Sequence, residues 1–149
     1  MSVYHWWRNC SSCLQISPSA SSSLLKLFLH YYSRSGDNGL LGTIVYEILG
    51  LHDSFGRVMI DNLKASTVSL PGEEQYSTVE TLLTRFTGIG YTAVRALTLR
   101  YIRLQYIDRA ELNRISTIEF LDDVEEIDLV LKHYAITWGL WHPGTETKA

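Results

Sequence analysis

Cys10 and Cys13 stand two residues apart in R-N-C-S-S-C-L-Q and are the only cysteines in the chain. A Cys-x-x-Cys pair can exchange disulfides or supply half of a zinc site. Zinc needs two more ligands at suitable spacing, and His5, His30 and His52 are scattered singly. A redox pair wants a strand before it and a helix opening at the first cysteine, whereas Pro18 and the serines around it put the helix start later. Gly88-Ile89-Gly90 is a G-x-G, but no strand precedes it and no acidic residue follows at the distance a nucleotide turn requires, so a helix C-cap fits it better. The acidic run Glu119, Asp122, Asp123, Glu125, Glu126 and Asp128 could pair carboxylates for acid-base work or hold a metal. Helical spacing spreads most of them over a wet face instead. His133 has no His or Cys partner at ligand spacing, and its place at a helix end suits the helix dipole.

A second set gathers at one strand end. Tyr46 and Glu47 close an apolar run, and open α/β sheets collect their ligands at the C-terminal ends of strands. Both could line a site; equally, Tyr46 could pack and Glu47 face solvent. Asp53 suits an N-cap. Arg57 could hold a carboxylate bidentately, or lie solvated on a helix. Phe55 and Met59 read first as core.

The elements that would position these residues follow from periodicity. Leu24, Leu25, Phe28 and Tyr31 or Tyr32 recur at helical spacing after Ser22 or Ser23 as N-cap. Ser33 to Gly39 is turn chemistry. Leu40 to Leu49 is β-branched and nearly continuously apolar, which predicts a strand buried on both faces, as in a parallel sheet. Asp53 or Ser54 caps a helix to about Ala65, with Phe55, Val58, Met59 and Leu63 on one face. Leu70-Pro71-Gly72 breaks the chain. The next helix spans about Ser77 to Phe86, with Ser77 and Glu80 as a capping box and Val79, Leu82, Leu83 and Phe86 as its stripe. Residues 91–99 alternate like a strand, Arg100 to Tyr106 carry no clear period, and Asp108 caps a helix to about Ile115. Phe120 to His133 form an amphipathic helix through Leu121, Val124, Ile127 and Leu131, and Tyr134 to Trp141 a last strand.

In bulk, 149 residues with 46% apolar content suffice for one core. No apolar run reaches the roughly 20 residues of a membrane span, and no signal-peptide pattern opens the chain. A net charge of −3 gives no electrostatic case for nucleic acid. Two cysteines fit a reducing compartment. A soluble, intracellular domain is expected.

Three stretches, in order, carry a family resemblance: Y-E-I-L-G-L-H-D-S-F-G-R-V-M-I-D-N-L (46–63), G-Y-T-A-V-R-A-L-T-L (90–99) and A-E-L-N-R-I-S-T-I-E-F-L-D-D-V-E-E-I-D-L-V-L-K-H-Y-A-I-T-W-G (110–139). From about Ser17 to Gly139 the chain resembles the C-terminal half of a leucine carboxyl methyltransferase. The resemblance implies an α/β fold, part of a class I, Rossmann-like methyltransferase sheet whose last strand runs antiparallel, with residues 40–49, 91–99 and 134–141 as its final three strands. It implies a cytoplasmic transferase that uses S-adenosyl-L-methionine, without metal, nucleic acid or membrane, to methyl-esterify the C-terminal leucine of the protein phosphatase 2A catalytic subunit. Tyr46 and Glu47, favoured by their family position, are expected with Asp53, Phe55 and Arg57 as substrate or pocket lining.

The cofactor-binding pattern of that family, a glycine-rich turn followed by an acidic strand end, has no counterpart here. Anchored on Ser17-Pro18, the family's cofactor-contacting Glu falls at about Cys10 and a Tyr at about Gln15, so both side chains depart from the pattern. The expected organisation is a divergent head at 1–16, a partial methyltransferase domain at 17–141 and a polar tail at 142–149. Such a chain is expected to be inactive alone, to fold marginally and to aggregate through an open sheet edge. Two alternatives are the related tRNA wybutosine-pathway methyltransferase, which usually continues into a propeller, and a non-catalytic fragment that binds the phosphatase.

Overall fold

The structure, a computed structural model, describes residues 17–34, 40–68, 70, 75, 77–118 and 124–142. Cys10, Gln15, the Pro71-Gly72 break, the turn centred on 35–39, residues 119–123 and the tail beyond 142 lie outside the described residues.

Helix α1 spans Pro18–Arg34, strand β1 Leu41–Ile48 and helix α2 Ser54–Ala65. They are followed by α3 (Val79–Ile89), β2 (Ala93–Thr98), α4 (Leu99–Tyr106), α5 (Arg109–Ile118), α6 (Val124–Lys132) and β3 (Tyr134–Trp141). The sheet order is β1-β3-β2, and β3 is antiparallel to both neighbours. β1 and β2 therefore point the same way without touching, and the last strand runs against the others as expected.

β1 is not buried on both faces. Its residues alternate between half-buried and exposed, with Ile44 69% exposed. The covered face holds Leu41, Thr43, Val45 and Glu47, opposite Trp141, Gly139, Thr137 and Ala135 of β3. Among the described residues β1 pairs with β3 alone, so it is an edge strand with a single helical cover.

The helical layer is α3, lying over β2 and β3, with α1 beside it. Leu25, Leu29, Phe86 and Tyr91 form one buried cluster, against which Leu41, Val45, Val94 and Trp141 pack. Leu82 joins Leu49, Ala96 and Ala135 in a second. Gly139 lets the layers approach, since a Cβ there would come within 2.8 Å of the Tyr91 and Phe86 rings. The Tyr91 hydroxyl reaches Thr43 Oγ1 at 2.6 Å, and burial pushes its phenol pKa up against that hydrogen bond.

Several helix limits differ from the sequence expectation for local reasons. α1 starts at Pro18: Ser17 Oγ accepts from the Ala20 amide at 3.2 Å, and proline suits the first helical position. Its buried residues are Leu25 and Leu29, four apart, leaving Leu24 and Phe28 exposed. α3 is capped by Thr78 and Thr81, a capping box one residue later than Ser77 and Glu80, with the Thr81 hydroxyl accepting from the Thr78 amide at 3.1 Å. It ends at Gly90, whose φ of 120° is the left-handed cap expected of the G-x-G. Residues 99–106 are helical because the Thr98 hydroxyl caps them at the Tyr101 amide.

Candidate functional site

The residues singled out at the end of β1 are split by the pleat. Side chains alternate along a strand, so Tyr46 and Glu47 leave opposite faces of the sheet. The Tyr46 ring stacks on Tyr134 with centroids 5.2 Å apart and planes 5° from parallel. These rings are diagonal neighbours, since Tyr46 pairs with Ile136 and Ile48 with Tyr134. Glu47 instead turns under the helical layer, where its Oε1 accepts from Arg85 of α3. The second terminal nitrogen of Arg85 donates to Ser21 Oγ of α1 at 2.8 Å. The pair is well shielded, with side-chain exposures of 4% for Arg85 and 18% for Glu47. Glu47 Oε2 and Thr137 Oγ1 are buried without a hydrogen-bond partner among the described residues.

The Asp53 side chain joins three segments. Its Oδ1 caps α2 by accepting from the Gly56 amide at 2.8 Å, and also lies 3.0 Å from His133 Nε2. Its Oδ2 is 3.4 Å from Lys132 Nζ. The Gly56 amide above all, then His133 and Lys132, holds the Asp53 carboxyl pKa down at about 2 against the opposing effect of burial. Phe55, in the first turn of α2, tilts against the His133 ring at 4.9 Å. Arg57 is exposed, and its guanidinium pairs with no carboxylate among the described residues.

The structure thus brings Asp53 and Phe55 together around His133, leaves Arg57 outside that group on the same helix, and separates Tyr46 from Glu47. Two participants carried little sequence signal. Arg85 follows Leu82 by three residues and precedes Phe86, so it falls on the buried arc of α3; a charge at that phase requires a partner. His133 reads as a helix-end histidine, yet it is fully buried.

S-adenosyl-L-methionine would need a carboxylate free for its ribose and a glycine turn for close approach. The described residues do not fit that requirement. Glu47, the carboxylate at a strand end, is engaged by Arg85, and Gly90 closes a helix. Nor do three or more His, Cys, Asp or Glu residues gather as a metal site among the described residues. No helix there is long and apolar enough to cross a membrane.

No protein-family model matches the chain. Curated proteins do. It is 46% identical over 101 residues to leucine carboxyl methyltransferase 1 of Cryptococcus neoformans, a match covering 64% of this chain and 28% of that protein. The protein of the same name from Schizosaccharomyces pombe is 34% identical over 137 residues, 89% of this chain and 42% of its own length. That of Rattus norvegicus is 31% identical over 123 residues, covering 83% and 35%. The chain spans less than half the length of these relatives.

Proposed function

From the homology of this chain with the leucine carboxyl methyltransferases, we propose that it carries the acceptor-side portion of a protein methyltransferase. The acceptor is the C-terminal leucine carboxylate of the protein phosphatase 2A catalytic subunit, and the methyl donor is S-adenosyl-L-methionine. The observation that supports this best is the long similarity to the S. pombe enzyme, over 89% of this chain. The α/β architecture with an antiparallel last strand is consistent with a partial methyltransferase domain.

The chemistry asks little of acid-base residues. A carboxylate is already anionic near neutral pH and needs no strong base to accept a methyl group. What the protein must supply is alignment, and charge to hold the acceptor in place. Arg57 is the exposed guanidinium beside the loop after β1, with the donor geometry to take a C-terminal carboxylate bidentately. Tyr46, Asp53 and Phe55 shape and fix the surroundings, while Glu47 acts at a distance by anchoring β1 under α3.

With Glu47 engaged by Arg85, we infer that the chain binds S-adenosyl-L-methionine weakly or not at all and does not turn over alone. Residues 17–141 act as the partial domain, flanked by a head at 1–16 and a tail at 142–149. Titration calorimetry with S-adenosyl-L-methionine tests this: absence of binding heat is expected, and tight stoichiometric binding overturns it. A second reading, a non-catalytic fragment that still binds the phosphatase, draws on the engagement of Glu47 by Arg85, which takes the strand-end carboxylate out of use. Pull-down of the phosphatase catalytic subunit on the immobilised chain supports it, and loss of capture in Arg57→Ala ties the contact to the proposed carboxylate site.

A further inference from the structure

His133 sits where four parts of the chain meet. Its ring nitrogen Nδ1 lies 2.6 Å from the Leu129 carbonyl of α6, and Nε2 lies 3.0 Å from Asp53 Oδ1. Its backbone carbonyl accepts from the Leu49 amide at 3.0 Å, and Gly50 next to it donates to the Ser77 carbonyl at 2.9 Å. Gly50 has a φ of 72°, and a Cβ there would stand 3.3 Å from the His133 ring. Phe55 closes the ring from the α2 side.

Both ring nitrogens therefore face acceptors. A backbone carbonyl can only accept, and so can an ionised carboxylate. A ring protonated at both nitrogens satisfies both contacts. Removing either proton sets a lone pair of the buried ring against an oxygen lone pair.

We propose that His133 is a proton-controlled positioning residue: with both ring nitrogens protonated it clamps residues 49–56, and loss of one ring proton lets that segment loosen. Among the described residues, the charged groups around the ring are few. Asp53 faces it from the loop before α2. Lys132, from its own helix, reaches Asp53 and opposes positive charge on the ring. α2 contributes the uncharged Phe55, and the end of β1 contributes backbone and Gly50. With Nδ1–H held by Leu129, the contact that fails first is the one to Asp53. Asp53 is then held by its Gly56 cap alone, which opens more often, and no longer ties the start of α2 to the junction of α6 and β3.

What the clamp does for the acceptor carboxylate rests on the function proposed above, because the segment it fixes leads into Phe55 and Arg57. The clamp itself is measurable without donor or acceptor, so its failure and the failure of the enzymatic reading are distinguishable. The test is an NMR pH titration of the full chain, following the His133 ring, the Phe55 ring and the amides of residues 49–56, with hydrogen exchange on both sides of the His133 titration.

The Phe55 ring and the Gly56 amide are expected to shift in step with the His133 ring. Gly56 exchange, corrected for intrinsic rate, should be roughly tenfold faster once the ring is neutral, the worth of one charge-assisted hydrogen bond. His52→Ala should preserve this coupling, since His52 is exposed nearby; Asp53→Asn, which keeps an N-cap side chain, should abolish it. A flat response of residues 49–56 through the His133 titration overturns the proposal in the unmodified chain. So does a coupling that survives Asp53→Asn or disappears in His52→Ala.

Discussion

Arg85 of α3 pairs with Glu47 of β1 beneath the helical layer, and its other terminal nitrogen holds Ser21 of α1. One guanidinium thereby joins both covering helices to the edge strand. Breaking one side of a shielded pair leaves the other charge buried and unpaired, which costs more than the pair is worth against an apolar replacement. Arg85→Met should destabilise the chain by about 3 kcal/mol. Replacing both, as Arg85→Met with Glu47→Leu, should recover most of that loss. Urea denaturation of the single and double variants measures the difference, and an equal loss in both would show that the pair acts by packing alone.

Asp53 carries a pH dependence whose sign is fixed. Its folded pKa of about 2 lies below the ordinary 3.8, so its contribution is present above the ordinary value and lost as pH falls from there towards about 2. The Asp53 side chain is 39% exposed, so added salt reduces the effect. Stability curves recorded stepwise across that acid window should flatten in Asp53→Asn. Asp53→Ala should also lose about 1 kcal/mol at neutral pH through the missing cap.

Two glycines should respond in opposite directions. A Cβ on Gly56 would stand 2.4 Å from the Leu51 Cα and 2.6 Å from its carbonyl carbon, backbone atoms that cannot rotate away. Gly56→Ala should therefore cost about 3 kcal/mol. Gly88 lies exposed in α3, and a Cβ there would meet nothing within 4 Å beyond its own helix backbone among the described residues. Gly88→Ala should stabilise by about 0.7 kcal/mol through helix propensity. Thermal melts of the two variants check both signs.

The edge strand predicts solution behaviour. β1 offers no lysine or proline to discourage pairing, and Ile44 is 69% exposed on it. Light scattering at rising concentration should show self-association of the chain. Ile44→Lys should suppress it without lowering the urea midpoint, because that side chain lies outside the core clusters.

Much of this is legible in the residues, to the extent that local chemistry decides it. The Asp53 cap, the Gly90 helix stop and the three strands follow from side-chain types at fixed offsets. Apolar spacing alone starts α1 at Ser22 or Ser23, too late, because a serine run offers many caps. Pro18 selects among them only when its first-position preference is weighed. The exposed face of β1 cannot be read from its apolar run, since exposure depends on which neighbours cover a strand. The separation of Tyr46 from Glu47 is open to inspection through strand alternation. The attachment of Glu47 to Arg85, 38 positions away, is not, because only the tertiary fold brings α3 over β1. Similarly, His133 and Asp53 meet across 80 positions, and neither sequence neighbourhood names the other.

The position of β3 has a consequence for synthesis. Of the three described strands, the one made last lies between the other two, and Leu41 at one end of β1 pairs with Trp141. β1 and β2 therefore leave the ribosome before the strand that joins them, and wait for it until residues 134–141 have been translated. During that interval both are unpaired hydrophobic strands, so chaperone occupancy on the nascent chain should peak before residue 134 emerges, and a premature stop anywhere in β3 removes the partner of both strands at once.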